Sequence, residues 1–213
     1  MISAVLLQLP RIYPITDTEI SSLSHAEQVA HLLDGGGTFI QLREKKTSAR
    51  GFFNDAASAL RLARAAGATI IINDRVDIAL ALAAPGVHLG QTDMPVPAAR
   101  QLLGPDAIIG YSTHNLDQVR EVVELPINYL AFGPVFPTRS KQNPDPVAGL
   151  GRLEIAKALA GDLPVVAIGG IGRSNLAEIF ASGADSAAMI SEILCEPHNI
   201  AANLREILTL ASK

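Results

Sequence analysis

The sequence has a single cysteine, Cys195, and so has no partner for an internal disulfide bond. This scarcity fits a reducing compartment, and we expect Cys195 to be a buried, inert thiol. A block of basic residues is also missing: 17 lysines and arginines stand against 21 aspartates and glutamates, for a net charge of −4. Nucleic acid and anionic membrane surfaces are therefore not expected as partners. Small anions remain possible ligands, because local cations rather than net charge bind them.

Long apolar runs are lacking as well. No uncharged segment approaches the length that spans a bilayer. Residues 1–10 are apolar but lack the basic start of a signal peptide. We therefore expect a soluble, cytoplasmic protein. The sequence does not define an oligomeric state, and a homo-oligomer remains possible.

What the sequence does contain is a regular alternation of short apolar segments and helical segments, with no change of composition along the chain. The predicted strands are residues 11–17, 38–42, 69–72, 86–89, 107–112, 128–132, 164–168 and 185–190. A helical segment follows each of them. Such alternation predicts right-handed crossovers and a parallel sheet.

Eight strand-helix units in one chain predict a single α/β domain over residues 1–213, a closed (β/α)₈ TIM barrel. The chain is shorter than the roughly 250 residues typical of that fold. An open doubly wound sheet is the alternative. Residues 169–172 (GGIG) follow a strand but lack the glycine spacing of a dinucleotide-binding turn. In a barrel, the active site is expected at the C-terminal ends of the strands.

Two carboxylates follow neighbouring predicted strands. Asp74 comes after the third strand and Asp93 after the fourth. If these strands are adjacent, both side chains lie over one opening of the sheet. Two hard oxygen ligands beside a phosphorylated substrate are the usual means of holding magnesium. The alternative for Asp74 is that it caps the helix starting at Arg75, since aspartate is a favoured N-cap.

Further polar residues follow the other strands. Gln41, Arg43 and Lys45 alternate after the second strand and share one side if that strand continues; a solvated strand end is the alternative. Gly169 and Gly170 precede a helix start, where bare amides bind phosphate. The same glycines are also explained by a tight turn alone. Cations on one side and a phosphate site on the other suit a substrate diphosphate and a second anionic group.

The histidines are weaker candidates. His88 lies inside the fourth strand, where a packed, structural histidine is expected. His114 follows the fifth strand, next to Ser112 and Thr113. It could carry a proton at the mouth of the barrel, or it could cap or pack.

Together these segments resemble the thiamine-phosphate synthase family, in the family's order and over nearly the whole chain. The segments are residues 41–45 (QLREK), 72–77 (INDRVD), 86–93 (GVHLGQTD), 112–114 (STH), 133–138 (GPVFPT) and 167–171 (AIGGI). The resemblance implies a magnesium-dependent transferase of thiamine biosynthesis. Its substrates would be hydroxymethylpyrimidine diphosphate and a thiazole phosphate, and its products thiamine phosphate and diphosphate. No nucleophilic side chain is required, because diphosphate departs before the thiazole nitrogen attacks.

The resemblance also implies roles for individual residues. Asp74 and Asp93 would bind Mg²⁺. The pyrimidine diphosphate would contact Gln41, Leu42, Arg43, Glu44, Lys45, Asn73, Ser112 and Lys141, of which Arg43, Lys45, Ser112 and Lys141 would be catalytic. The thiazole substrate would contact Thr138, Arg139 and Ser140, and its phosphate would contact Gly170, Ile190 and Ser191.

Two features depart from the family's pattern. Ser140 replaces the usual threonine and keeps its hydroxyl, whereas residues 142–146 (QNPDP) are less basic than is common in the family. Two other functions remain as alternatives. One is a thiazole tautomerase of the same fold, which has no need to keep Asn73, Asp74, Asp93 and Lys141 together. The other is a barrel that binds a thiamine precursor without catalysis.

Overall fold

A computed structural model describes residues 7–138 and 145–212, and its strands form one closed parallel barrel in chain order. The strands are β1 (Ile12–Thr16), β2 (Phe39–Leu42), β3 (Thr69–Asn73), β4 (Gly86–Leu89), β5 (Ile108–Thr113), β6 (Tyr129–Phe132), β7 (Val165–Ile168) and β8 (Ser186–Met189). The barrel closes where β8 pairs with β1, with Ile12 opposite Ala187. The predicted (β/α)₈ barrel is confirmed, and the open doubly wound sheet is wrong.

Helices surround the barrel. They are α1 (Thr18–Ser21), α2 (His25–Asp34), α3 (Ala49–Ala65), α4 (Val76–Ala81), α5 (Val96–Leu103), α6 (Leu116–Val122), α7 (Leu150–Ala160), α8 (Leu176–Ala181), α9 (Ser191–Leu194) and α10 (Ile200–Ala211), with a 3₁₀ turn at Pro197–Asn199. The sequence pattern missed α1, α9 and the 3₁₀ turn, because one helical turn is too short to show a periodicity. None of the described helices is long and apolar enough to cross a membrane.

The start of α2 shows how local sequence sets these elements. Ser24 Oγ accepts the amide proton of Glu27 at 3.2 Å, and Glu27 Oε2 accepts the amide proton of Ser24 at 2.9 Å. This reciprocal pair is a capping box, which satisfies two amides that the helix itself leaves unpaired. The helix start predicted from this spacing is confirmed.

Alternation along each strand divides the core into two layers. Ile70 and Ile72 point outward and pack under the helices, whereas Ile71 points into the barrel. Aromatic rings pack together with aliphatic side chains in the barrel centre: Tyr13 lies 5.9 Å from Tyr129 between ring centroids, in an edge-to-face arrangement. These rings close the barrel below its C-terminal mouth, so the cavity described next has a solid floor.

Gly110 makes room for that floor. A Cβ at this position of β5 would lie 2.0 Å from Cζ of Tyr129, so no larger residue fits beside the ring. At the surface, Cys195 follows the single turn of α9 and is exposed. The expectation of a buried thiol is therefore wrong. Most of residues 1–10, to which the signal-peptide expectation applied, lies outside the described residues.

Candidate active site

A cavity of about 810 Å³ opens at the C-terminal ends of the strands. Its walls receive residues from both ends of the sequence, because closure of the barrel brings β8 next to β1. The predicted site residues that line it are Gln41, Arg43, Lys45, Asn73, Asp74, Asp93, Ser112, Thr138, Gly170, Ile190 and Ser191. The structure thus brings together residues that the sequence spreads over 151 positions, from 41 to 191.

Two residues predicted to contact the substrate, Leu42 and Glu44, do not line the cavity, so for both of them this contact stays a prediction. Leu42 has no exposed surface and packs in the outer core. Glu44 turns away and binds backbone amides of its own loop. The reason is the alternation of side chains along an extended segment, which sends residues 42 and 44 to the side opposite the cavity. Arg139, Ser140 and Lys141 lie outside the described residues.

The two carboxylates meet at the cavity wall. Asp74 has a left-handed backbone with φ of 61°, a conformation that aspartate adopts more readily than most residues, and its amide donates to the carbonyl of His88 at 2.8 Å. The N-cap of α4 is Arg75, so the alternative that Asp74 caps this helix is wrong. Burial, and then the negative charge of Asp74, raise the pKa of Asp93. The two carboxyl groups therefore lie within interaction distance of each other.

Two cations that follow β2 are each paired with a carboxylate. Lys45 Nζ lies 2.5 Å from Asp74 Oδ2, and Arg43 Nη1 lies 2.6 Å from Asp17 Oδ2. Both cations line the cavity. The Arg43 side chain is partly buried, whereas that of Lys45 is exposed, so the solvated strand end stays an alternative for Lys45. This wall combines two carboxylates with two positive charges, an arrangement suited to a metal ion and an anion side by side.

The opposite wall is built from backbone. Gly169 and Gly170 have φ of 99° and 66°, and a Cβ on Gly170 would lie 2.4 Å from the carbonyl oxygen of Pro137. The tight turn therefore requires glycine here. Next to it, α9 begins at Ser191 directly after β8, with no side chain capping its first turn. The first amide N–H groups of a helix have no intrahelical partner, so they are free to donate hydrogen bonds to an anion.

A buried chain of hydrogen bonds runs beneath the cavity and joins two of its predicted contacts. Gln41 Nε2 donates to the hydroxyl of Tyr13 at 3.1 Å, and this hydroxyl lies 2.9 Å from that of Tyr129. Tyr129 lies 3.0 Å from Nδ1 of His88, whose Nε2 is 2.9 Å from Oγ of Ser112. The chain therefore couples the orientation of Gln41 on β2 to that of Ser112 on β5.

Burial determines the protonation states of the tyrosines and the histidine in this chain of hydrogen bonds. It raises the pKa of both tyrosines, so their hydroxyls stay protonated and can donate. Burial also lowers the pKa of His88 to about 4, so the imidazole is neutral at physiological pH. A packed, structural role for His88 agrees with this placement. Sequence reasoning missed Tyr13 and Tyr129, because nothing in their local sequence distinguishes them from core aromatics.

His114 is held at the cavity edge by two groups. Its Nδ1 lies 2.8 Å from the carbonyl oxygen of Gly133, which can only accept, so Nδ1 carries a proton. The same atom lies 3.6 Å from a carboxylate oxygen of Asp145. Asp145, which lines the cavity, was not identified from the sequence. A proton-carrying role for His114 stays a prediction.

The closed barrel and the cavity at its C-terminal mouth place this protein among the TIM-barrel enzymes, in which loops at this end carry the active site. Within that class, the chain belongs to the thiamine monophosphate synthase family, whose sequence model matches residues 12–193. The family resemblance expected from the six sequence segments is confirmed.

Individual relatives cover nearly the whole chain. It is 40% identical over 209 residues to a thiamine-phosphate synthase of Koribacter versatilis, covering 95% of this chain and 97% of the relative. It is 45% identical over 170 residues to that of Desulfitobacterium hafniense strain Y51, covering 80% and 82%. The solved structure of a thiamine phosphate pyrophosphorylase from Pyrococcus furiosus matches with a TM-score of 0.82 at 34% identity, covering 95% and 97%.

Proposed function

We propose that this protein condenses hydroxymethylpyrimidine diphosphate with a thiazole phosphate, giving thiamine phosphate and diphosphate. The observation that carries the proposal is the cavity wall where Asp74 and Asp93 adjoin each other and Lys45. A carboxylate pair with a mobile cation suits the departure of a diphosphate. A tautomerase acting on the thiazole phosphate alone has no use for this wall.

The donor set fits Mg²⁺. Asp74 and Asp93 supply two carboxylates, which are hard oxygen ligands. The described residues contain no group of three His, Cys, Asp or Glu side chains that could hold a metal. Mg²⁺ is commonly bound by one or two carboxylates, with substrate phosphates and water as its other ligands, so two are sufficient here. When bound, the ion would neutralise negative charge on the leaving diphosphate.

The protein's own residues then have distinct tasks. We assign the pyrimidine to Gln41, Asn73 and Ser112, which line one side of the cavity. Arg43 and Lys45 would bind the diphosphate, after leaving their present partners Asp17 and Asp74. Lys141, which lies outside the described residues, is assigned to the diphosphate on the family resemblance alone.

The second substrate is assigned to the opposite wall. The amides around Gly170, Ile190 and Ser191 would bind its phosphate, since these residues line the cavity and no side chain caps the start of α9. Thr138, also on the cavity wall, would contact the thiazole ring. The same contact is assigned to Arg139 and Ser140 on the resemblance alone.

The chemistry needs charge stabilisation rather than a nucleophilic side chain. The bond between the pyrimidine's methylene carbon and the diphosphate oxygen breaks, and the aminopyrimidine ring stabilises the resulting cation. The thiazole nitrogen then bonds to the same carbon. Cations and donors already fixed around the leaving oxygens lower the barrier, because they need no reorganisation during the reaction.

This reaction belongs to thiamine biosynthesis, and we propose that it takes place in the cytoplasm. We also propose that the chain forms a single domain over residues 1–213.

The direct experiment mixes the two phosphorylated precursors with the protein, with and without Mg²⁺, and measures diphosphate and thiamine phosphate. We expect equal amounts of both products, only when Mg²⁺ is present. Asp93→Ala should lower turnover by about 100-fold or more, because charge on the leaving group is then poorly stabilised. Isomerised thiazole phosphate without diphosphate would indicate a tautomerase instead. Binding of both precursors without products would indicate a non-catalytic barrel.

A further inference from the structure

The carboxylate of Glu44 organises the loop that carries the two cavity cations. Its Oε1 accepts three consecutive backbone amide protons, from Lys45 at 2.7 Å, Lys46 at 2.7 Å and Thr47 at 3.0 Å. One side-chain oxygen therefore fixes the direction of three peptide groups. Backbone N–H groups that converge on one anion form an anion-binding nest, and here the carboxylate of Glu44 is the anion.

The second oxygen of Glu44 faces the helices behind the loop. Oε2 lies 3.4 Å from Nε2 of His25 and accepts from the hydroxyl of Thr18 at 3.4 Å. The side chains of Glu44 and His25 are only 6% and 1% exposed. Burial opposes ionisation of Glu44, but the amides donated by Lys46, Thr47 and Lys45 outweigh it and lower its pKa to about 2. Glu44 is therefore a carboxylate at physiological pH.

The start of α2, where His25 lies, is itself fixed to two other elements. The amides of His25 and Ala26 donate to the carboxylate of Asp55 on α3, at 2.7 and 3.0 Å. His25 Nδ1 lies 2.7 Å from Oγ1 of Thr16 at the end of β1. The 3.4 Å contact with His25 thus places Glu44 and its loop against β1, α2 and α3.

The loop needs such a link. The β2 strand ends at Leu42, so the ladder between strands no longer orders the residues that follow. Arg43 and Lys45, on either side of Glu44, both line the cavity. Their side chains are long and lose entropy when they are ordered, so a fixed backbone lowers the cost of aiming them at one anion.

We propose that Glu44 is a positioning residue for the diphosphate site: it does not touch the substrate, but it holds the backbone of residues 43–47 so that Arg43 and Lys45 reach the diphosphate. This inference rests on the proposed function, which supplies the diphosphate. It replaces the direct substrate contact that the resemblance implied for Glu44.

The test compares Glu44→Ala and Glu44→Gln with wild type. The amide oxygen of glutamine still accepts N–H groups but carries no charge, so this variant should retain part of the loop order. The matched control is Glu27→Ala, which removes a carboxylate that accepts an amide proton at the start of α2, away from the cavity. Calorimetry with inorganic diphosphate and Mg²⁺ measures binding, and steady-state kinetics give KM for each substrate.

Misplacing a positioning group by about 1 Å costs up to about 100-fold, so for Glu44→Ala we expect roughly tenfold weaker diphosphate binding. KM for the pyrimidine diphosphate should rise similarly, while KM for the thiazole phosphate stays within about twofold. Glu44→Gln should fall between Glu44→Ala and wild type. Glu27→Ala should leave diphosphate binding and both KM values at their wild-type level, even if it lowers the urea midpoint.

Unchanged diphosphate binding in a folded Glu44→Ala protein would overturn the proposal. An equal rise in both KM values would do so too, because it would indicate a general structural defect. If Glu44→Ala does not fold, Glu44→Gln decides: a selective weakening of diphosphate binding supports the role, and wild-type binding refutes it.

A wild-type protein that binds diphosphate without forming thiamine phosphate would refute the proposed function alone, since calorimetry still tests Glu44. Wild-type protein that does not bind diphosphate would refute both.

Discussion

The ammonium group of Lys45 lies 2.5 Å from Oδ2 of Asp74, so a cation of the proposed diphosphate site is paired with a proposed metal ligand. The same positive charge that attracts a diphosphate must repel a divalent cation at Asp74. Metal and diphosphate are therefore expected to bind cooperatively, because the diphosphate draws Lys45 away from the carboxylate. Coupling of this kind is reciprocal: each ligand raises the affinity of the protein for the other ligand by the same factor.

Replacement of Lys45 should separate its attraction for the diphosphate from its repulsion of the metal ion. In the absence of diphosphate, we expect Lys45→Met to bind Mn²⁺ roughly two- to fivefold more tightly than wild type, because a partly exposed ion pair contributes up to about 1 kcal/mol. The gain in Mn²⁺ affinity on adding inorganic diphosphate should be smaller in the variant. Titration followed by electron paramagnetic resonance measures both quantities.

Lys46→Met is the matched control for this experiment. Lys46 is the next residue along the loop, but its ammonium group pairs with the exposed Glu19 instead. Its removal should leave Mn²⁺ affinity at the wild-type level. Equal Mn²⁺ affinities in wild type and Lys45→Met would contradict competition between the lysine and the metal.

The acidic pair should also cost the protein stability. Burial and the nearby charge of Asp74 raise the pKa of Asp93 above its unfolded value. A carboxyl group shifted in this direction destabilises the fold at pH values above both pKa values, and the cost disappears once the group is protonated. Asp93→Asn should therefore raise the urea midpoint at pH 7 while it abolishes tight Mn²⁺ binding.

The pH dependence provides the internal control for that variant. The stability difference between Asp93→Asn and wild type should shrink as the pH falls toward about 3, where an unperturbed aspartate is also protonated. If the urea midpoint of Asp93→Asn at pH 7 is equal to or below that of wild type, the substitution loses at least as much stability through a weakened contact as it gains by removing the charge repulsion. The hydrogen bond from the amide of Gly90 to Asp93 Oδ2, at 2.7 Å, is the contact that would be responsible.

The sequence predicted the parts of this structure that follow from regular geometry. Successive parallel strands place their C-terminal ends at one mouth, so the meeting of Asp74 with Asp93 followed from counting strands. The barrel itself followed from the alternation of apolar segments. Predicted and observed strands differ by no more than two residues at any end, even where the strand has only four residues, as in β6.

The remaining features depend on contacts between distant residues. Tyr13 and Tyr129 are 116 positions apart, and nothing local to either predicts that their hydroxyls meet. The direction of Glu44 depends on a buried histidine of α2, which no pattern in its own loop reveals. Cys195 was misplaced because α9 is one turn long and leaves it at the surface.

The buried imidazole of His88 makes stability depend on pH. Burial lowers the pKa of His88 from 6.5 to about 4, so between these values the unfolded chain binds a proton that the folded chain does not. The free energy of unfolding therefore falls as the pH drops from about 6.5 to about 4, by roughly 3 kcal/mol from this residue. His88→Gln should lose this contribution.

Urea unfolding of wild type and His88→Gln at pH 7 and at pH 4.5 measures the effect. We expect the wild-type protein to lose roughly 2 to 3 kcal/mol more than the variant between these two pH values. His25, whose pKa burial also lowers, is present in both proteins, so its contribution cancels. An equally steep loss in the variant would show that His88 is not responsible.

Tyr129 is the central link between Gln41 and Ser112, and its hydroxyl can be removed without disturbing the ring. Tyr129→Phe leaves the hydroxyl of Tyr13 and Nδ1 of His88 each without one partner. We expect a loss of about 1 to 3 kcal/mol in unfolding free energy, the cost of leaving buried polar groups unpaired. KM for the pyrimidine diphosphate should also rise, because Gln41 and Ser112 lose their fixed orientation.

The comparison for this variant is Tyr111→Phe. Tyr111 lies on β5 and packs partly buried against the outer core, away from the chain of hydroxyls. Its substitution should change the unfolding free energy by no more than about 0.5 kcal/mol. Burial and the charge of Asp93 raise the pKa of Tyr111, so the two groups interact and this variant is a control for stability rather than for KM. If Tyr129→Phe loses stability but keeps the wild-type KM for the pyrimidine diphosphate, the chain stabilises the barrel without orienting the substrate contacts. A rise in that KM alone, with the thiazole phosphate KM unchanged, supports the orienting role, because Gln41 and Ser112 stand at the two ends of the hydrogen-bond chain and both are assigned to the pyrimidine.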